Sequence, residues 1–157
     1  MIEEIYTYFT IEMIFMWLNL GVLPFWFVLI VFPQSQICRV FITSIFPILI
    51  LSMAYAYLLY LFYNEGYDFI RNFELYRGLD AVSNLFTDKA FIILFWLHFL
   101  AMNLFCGGWI VKDSQKFGIN KVLLSFPILI TYFIGPIGLT LYWIIRIFYA
   151  KRINLYD

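Results

Sequence analysis

Charge is what this sequence has least of: ten basic and ten acidic side chains in 157 residues, 13% in all, against about a quarter in soluble domains. No lysine stands near the middle of an apolar run, so a retinal-type Schiff base is unsupported. The balanced charge leaves no nucleic-acid footprint. Histidine is nearly missing. His98 is alone, which excludes bis-histidine haem, and with no second ligand at its depth no metal site and no cofactor are expected. Two cysteines, Cys38 in a loop and Cys106 deep in an apolar run, would have to meet from different depths, so no disulfide is expected. The eight glycines form no phosphate loop. The absence of period-two alternation argues against a β-barrel, and the lack of an acidic row or inverted repeat argues weakly against a channel or secondary transporter.

What is present is hydrophobic: 64% of residues. Spanning a hydrocarbon core takes roughly 20 apolar residues at about 1.5 Å each. Four runs qualify, over residues 11–32, 40–63, 90–111 and 122–149. The expectation is an all-α polytopic membrane protein, a single four-helix transmembrane domain over residues 1–157. Pro33 closes the first run and Asn64-Glu65-Gly66 the second, while Gly135-Pro136 should kink or break the long fourth. Glu3, Glu4 and Glu12 stand where a signal peptide would carry basic residues, so the first run reads as a retained span. Between the second and third spans, Phe69, Phe73, Tyr76 and Leu79 recur at helical spacing among Arg71, Glu74, Arg77 and Asp80, with Gly78 as a breaker. That pattern predicts an amphipathic segment in the interface plane. Counting Arg71, Arg77, Lys89, Arg146, Lys151 and Arg152 against Arg39, Lys112, Lys116 and Lys121 places both termini in the cytoplasm.

An ionisable residue near mid-membrane points to function. His98 is that residue, on a stripe with Met102, Phe105 and Trp109. It suits a general acid or base, or equally a hydrogen bond to Ser52, Tyr55, Tyr57, Thr131 or Tyr132 on a neighbouring helix. Asn103 lies about 140° around the helix and faces elsewhere; it can hold a ligand's polar group or join two helices. Gly107 and Gly108, with Gly135 and Gly138 beside Pro136, read as flat surfaces for helix packing. Asp113 stands about 22 Å along the helix from His98 and reads as part of a solvated headgroup cluster with Lys112, Gln115 and Lys116. Arg146, near the end of the fourth run, can snorkel. The aromatic content, 23% with nineteen Phe, exceeds what belts such as Tyr63, Tyr67, Trp109 and Tyr149 require. Phe9, Phe15, Trp17, Phe25, Trp26 and Phe27 wall the first span, as a groove for a long conjugated ligand or as plain packing.

"FWLHFLAMNLFCGGWIVKDSQKFGI" and "SFPILITYFIGPIGLTLYWIIR" resemble the small four-span family that contains plant neoxanthin synthase, the abscisic-acid-deficient-four-like proteins. The resemblance is carried by His98, Phe99, Leu100, Ala101, Leu104, Phe105, Gly107, Trp109, Asp113, Gly135, Pro136, Gly138 and Leu139, and upstream by Asn19, Pro24, Trp26 and Pro33. Asn103 stands where that family carries an acidic residue, and Gly108 where it carries an arginine. The resemblance implies binding or isomerisation of a carotenoid or other long isoprenoid within the bilayer. The plant chemistry opens an epoxide while removing a proton, without a redox cofactor. It further implies His98 as candidate acid/base with Tyr55, Tyr57 or Tyr132 as its partner, and Trp96, Asn103, Phe105, Trp109, Tyr55 and Tyr132 as ligand-binding residues. A bacterial inner membrane, or a plastid membrane, is the implied location. Beside it stand a non-enzymatic subunit docking a membrane-protein partner or a second copy, and a small transporter or channel.

Overall fold

The computed structural model describes residues 10–151 and 153–154; Glu3, Glu4, Phe9 and Arg152 lie outside them. Among the described residues every regular element is helical. Three helices are long and apolar enough to cross a membrane: α1 (Ile11–Val31), α2 (Phe46–Asn64) and α4 (Lys89–Lys116). A short helix, α3 (Leu79–Leu85), precedes α4, and α5 (Lys121–Phe133) and α6 (Gly135–Ala150) follow it.

Two boundaries differ from the sequence reading, and the expected break in the fourth run is located, each for a local reason. The second span begins at Phe46 rather than Val40. Cys38–Ile42 makes a separate π-helical turn, and the Ser44 hydroxyl caps the Phe46 N–H at 3.2 Å, one residue before Pro47. The third helix continues through Lys112 and Asp113 to Lys116, because polar side chains do not end a helix while its backbone can still pair. The fourth run is divided. Ile134 leaves helical geometry at φ −141°, ψ 80°, since Pro136 lacks the N–H a continuous helix needs there and is accommodated at the start of a new one. At 13 residues α5 is shorter than a full span.

The chain forms two compact units. Of the described residues, the first holds 10–21 and 50–100. Leu58, Phe62, Leu85, Ile93 and Leu97 make its core. Glu12 accepts from Lys89 at 2.7 Å, joining the starts of α1 and α4. The connector is not one helix but a 3-10 segment, Phe69–Tyr76, and then α3. Asp68 caps the former through the Ile70 N–H at 3.0 Å, and Gly78 separates the two at φ +137°, a conformation that favours glycine. Phe73, Tyr76 and Leu79 are left uncovered. Tyr67 donates to Asn72 at 2.8 Å; burial, then the Asp88 carboxylate, raises its phenol above the ordinary range.

Of the described residues, the second unit holds 22–49, 101–151 and 153–154, and in it α5 and α6 pack on one another. Gly138 makes this possible: a Cβ there would overlap the backbone and hydroxyl of Thr131. Gly107 receives the Trp26 indole, whose ring carbons would lie 2.9 Å from an added Cβ. Pro33 and Ile30, at the carbonyl-rich end of α1, accept from Gln115 Nε2 at 2.8 Å and Ser125 Oγ at 2.9 Å. Those side chains satisfy acceptors that a helix end leaves open.

Candidate functional site

A cavity of about 460 Å³ lies in the second unit, within the range of small-molecule sites, roughly 300–1,000 Å³. Its wall on α4 is Leu104, Phe105, Gly108, Trp109 and Lys112, one face of a helix at three- and four-residue steps. The opposite wall runs from Ile42 to Ile48, through the break that precedes α2. Thr43 and Ser44 are the polar residues of that break. Their hydroxyls donate to the carbonyls of Arg39 at 3.0 Å and Phe41 at 2.7 Å. The chamber is therefore apolar along most of its length, with two hydroxyl oxygens, the Trp109 indole N–H and one ammonium among its polar groups.

Behind Trp109 lies a buried polar cluster. Asp113 Oδ2 accepts from the Tyr142 hydroxyl and from Arg146 Nε, each at 2.6 Å. Arg146 is fully buried and Asp113 is 4% exposed. The guanidinium also donates to the Asn154 carbonyl at 3.0 Å and lies over the rings of Phe117 and Trp143 at 4.8 and 4.7 Å. Trp109 stacks on Trp143 and meets Tyr142 edge-on. The cluster thus fixes the ring that lines the cavity.

This corrects the sequence reading of Asp113 as a solvated headgroup residue and of Arg146 as a snorkelling one. A carboxylate and a guanidinium leave water together when each has a geometric partner and their remaining atoms are bonded. The sequence signal for the cluster is local: Tyr142 and Arg146 are four apart on α6 and share a face, and Asp113 is among the residues that carry the family resemblance.

The expected site residues are not gathered in one place. Phe105 and Trp109 share the cavity. Asn103 is buried beside Gly135, where its oxygen occupies the space a Cβ would take, and its amide donates to the Tyr132 carbonyl at 3.4 Å. Tyr132 turns its ring to Trp26 at 5.2 Å. Gly107 and Gly135 thus receive Trp26 and Asn103 rather than each other, and Gly108 faces Ile42 and Thr43 at ordinary contact distance. In the first unit, Trp96 donates to Asn19 Oδ1 at 3.0 Å and packs between Phe15 and Phe99. Tyr55 is half-buried there. His98 is exposed on α4 and makes no hydrogen bond among the described residues, so no bond joins it to Ser52 or Tyr55.

Cys38 is wholly buried, and burial pushes its thiol up to about 11. Among the described residues both cysteines are free thiols, and no three His, Cys, Asp or Glu side chains converge as a metal site.

A family model described as ABA DEFICIENT 4-like matches residues 13–142. The chain is similar to Protein ABA DEFICIENT 4, chloroplastic, of Arabidopsis thaliana, at 23% identity over 129 residues. The match covers 80% of this chain and 57% of that protein, so the chain spans little more than half the length of this relative. No solved structure matches the chain.

Proposed function

The chain belongs to the ABA4-like family, and on that premise we propose that this membrane protein binds or isomerises a carotenoid or another long isoprenoid within the bilayer. The observation that carries the reading is the cavity of about 460 Å³ in which Phe105 and Trp109 face a wall of Ile42, Ile45 and Ile48. Rigid aromatic faces opposite branched aliphatic ones suit a methyl-studded, unbranched-diameter chain. The buried Asp113–Arg146–Tyr142 cluster supports the reading by holding Trp109 in one orientation. A preorganised wall lowers the cost of ordering on binding.

His98 enters as acid or base only with a ligand lying over the exposed face of α4. An uncovered imidazole in hydrocarbon is costly, and that same cost favours a second reading, a non-enzymatic subunit whose partner chain covers His98. One purification addresses both: extraction in mild detergent from native membranes, with an absorption spectrum and mass spectrometry of the bound material. A polyene or isoprenoid near one per chain is the expected result. Isolation with no such ligand but with a stoichiometric second protein would replace the first reading by the second.

A further inference from the structure

We propose that the occupant of the cavity carries a phosphate monoester, so that the ligand is a single-chain isoprenoid phosphate with its tail on Phe105 and Trp109 and its headgroup on Lys112. The inference rests on the isoprenoid reading of the cavity and specifies the headgroup. It begins with charge. Lys112 and Asp113 are neighbours in sequence, but the Asp113 carboxylate is turned inward and its charge is met by Arg146. Lys112 lines the cavity, exposed, with no ion-pair partner among the described residues. An uncompensated ammonium beside a low-dielectric wall attracts an anion more strongly than one in open water.

The hydrogen-bond inventory narrows the anion. The Thr43 hydroxyl proton is given to the Arg39 carbonyl. The Ser44 proton goes to the Phe41 carbonyl, and its oxygen already accepts from the Phe46 N–H. The lining therefore offers donors at the Lys112 ammonium and at the Trp109 indole N–H, which has no acceptor among the described residues, and acceptors at the hydroxyl oxygens of Thr43 and Ser44. An alcohol would serve the hydroxyl oxygens and leave the charge unmatched. A carboxylate brings one charge and two oxygens to the donors. A phosphate monoester, with a second ionisation at about 6, is mostly dianionic at neutral pH and brings three acceptor oxygens and a larger charge to them. The volume of about 460 Å³ suits a headgroup and the first units of one chain.

The test is titration calorimetry on the full-length protein in neutral detergent with a fifteen-carbon prenyl monophosphate, its parent alcohol, and dioleoyl phosphatidate. Expected is roughly tenfold tighter binding of the prenyl phosphate than of the alcohol, the scale of one charge-assisted hydrogen bond, with the advantage shrinking at high salt. Lys112→Gln, at an exposed side chain, should erase that advantage. Equal binding of phosphate and alcohol, or an advantage that survives Lys112→Gln, overturns the headgroup while leaving the isoprenoid cavity intact. Phosphatidate binding as tightly as the prenyl phosphate overturns it in favour of bulk anionic lipid. If neither prenyl compound binds, the underlying isoprenoid reading fails as well.

Discussion

Replacing Arg146 by methionine removes the guanidinium and keeps most of the side chain's volume. Asp113 would then retain one partner, the Tyr142 hydroxyl at 2.6 Å, in a site where it is 4% exposed. Breaking a buried pair from one side costs about 3–5 kcal/mol, because the remaining charge is left uncompensated. The stacking over Phe117 and Trp143 would be lost too, at about 0.5–2 kcal/mol. For a chain of this size about 1 kcal/mol corresponds to 2–4 °C in Tm. Arg146→Met should therefore lower the melting temperature in detergent by roughly 7–28 °C, read by the loss of the monodisperse peak after heating. The double variant Asp113→Leu/Arg146→Met removes both charges, and a well-packed apolar replacement of a buried pair is near neutral or stabilising, but it leaves the Tyr142 hydroxyl without its acceptor, at about 1–3 kcal/mol. It should recover part of the loss. If the single variant melts within a degree of the parent, or the double is no better than the single, the burial and pairing of these charges are wrong.

The glycines of the second unit separate two kinds of crowding. A Cβ at Gly135 meets the Asn103 side chain, so Gly135→Ala should destabilise by about 1–3 kcal/mol and be relieved by Asn103→Ala; a Cβ at Gly138 meets Thr131 backbone, so Thr131→Ala should give no relief. Thermal melts of the four variants check this, and equal rescue at both glycines would refute it. Cys38 should resist alkylation: with its thiol raised from 9.0 to about 11, the thiolate fraction at pH 8 falls about 100-fold. Its rate should climb about tenfold per pH unit until that value is approached; rapid labelling at pH 8 in the folded protein would contradict the burial.

The span architecture was legible because it depends on length and apolarity alone. Runs such as Ile11–Val31 and Lys89–Lys116 need no partner to declare themselves, since the bilayer forces the backbone into helices. The break before Gly135-Pro136 was equally local, being a property of the proline ring. The polar residues were another matter. His98 looked central because it is the sole histidine in an apolar run, yet nothing among the described residues bonds it. Asp113 looked peripheral because Lys112, Gln115 and Lys116 surround it in sequence, yet it is buried and bonded twice at 2.6 Å.

The sequence by itself determined the solvent, the helices, the punctuation between them and the family. The tertiary structure alone decided which polar groups lie inside. Helix periodicity sorts side chains by face but does not say which face a neighbour covers, and in a membrane protein the outward face is as apolar as the inward one, so hydrophobicity cannot mark it. Only the approach of α6 to α4 reveals that Asp113 has a guanidinium and a phenol within reach. It follows that Lys112, one residue away, faces the cavity with its charge unanswered.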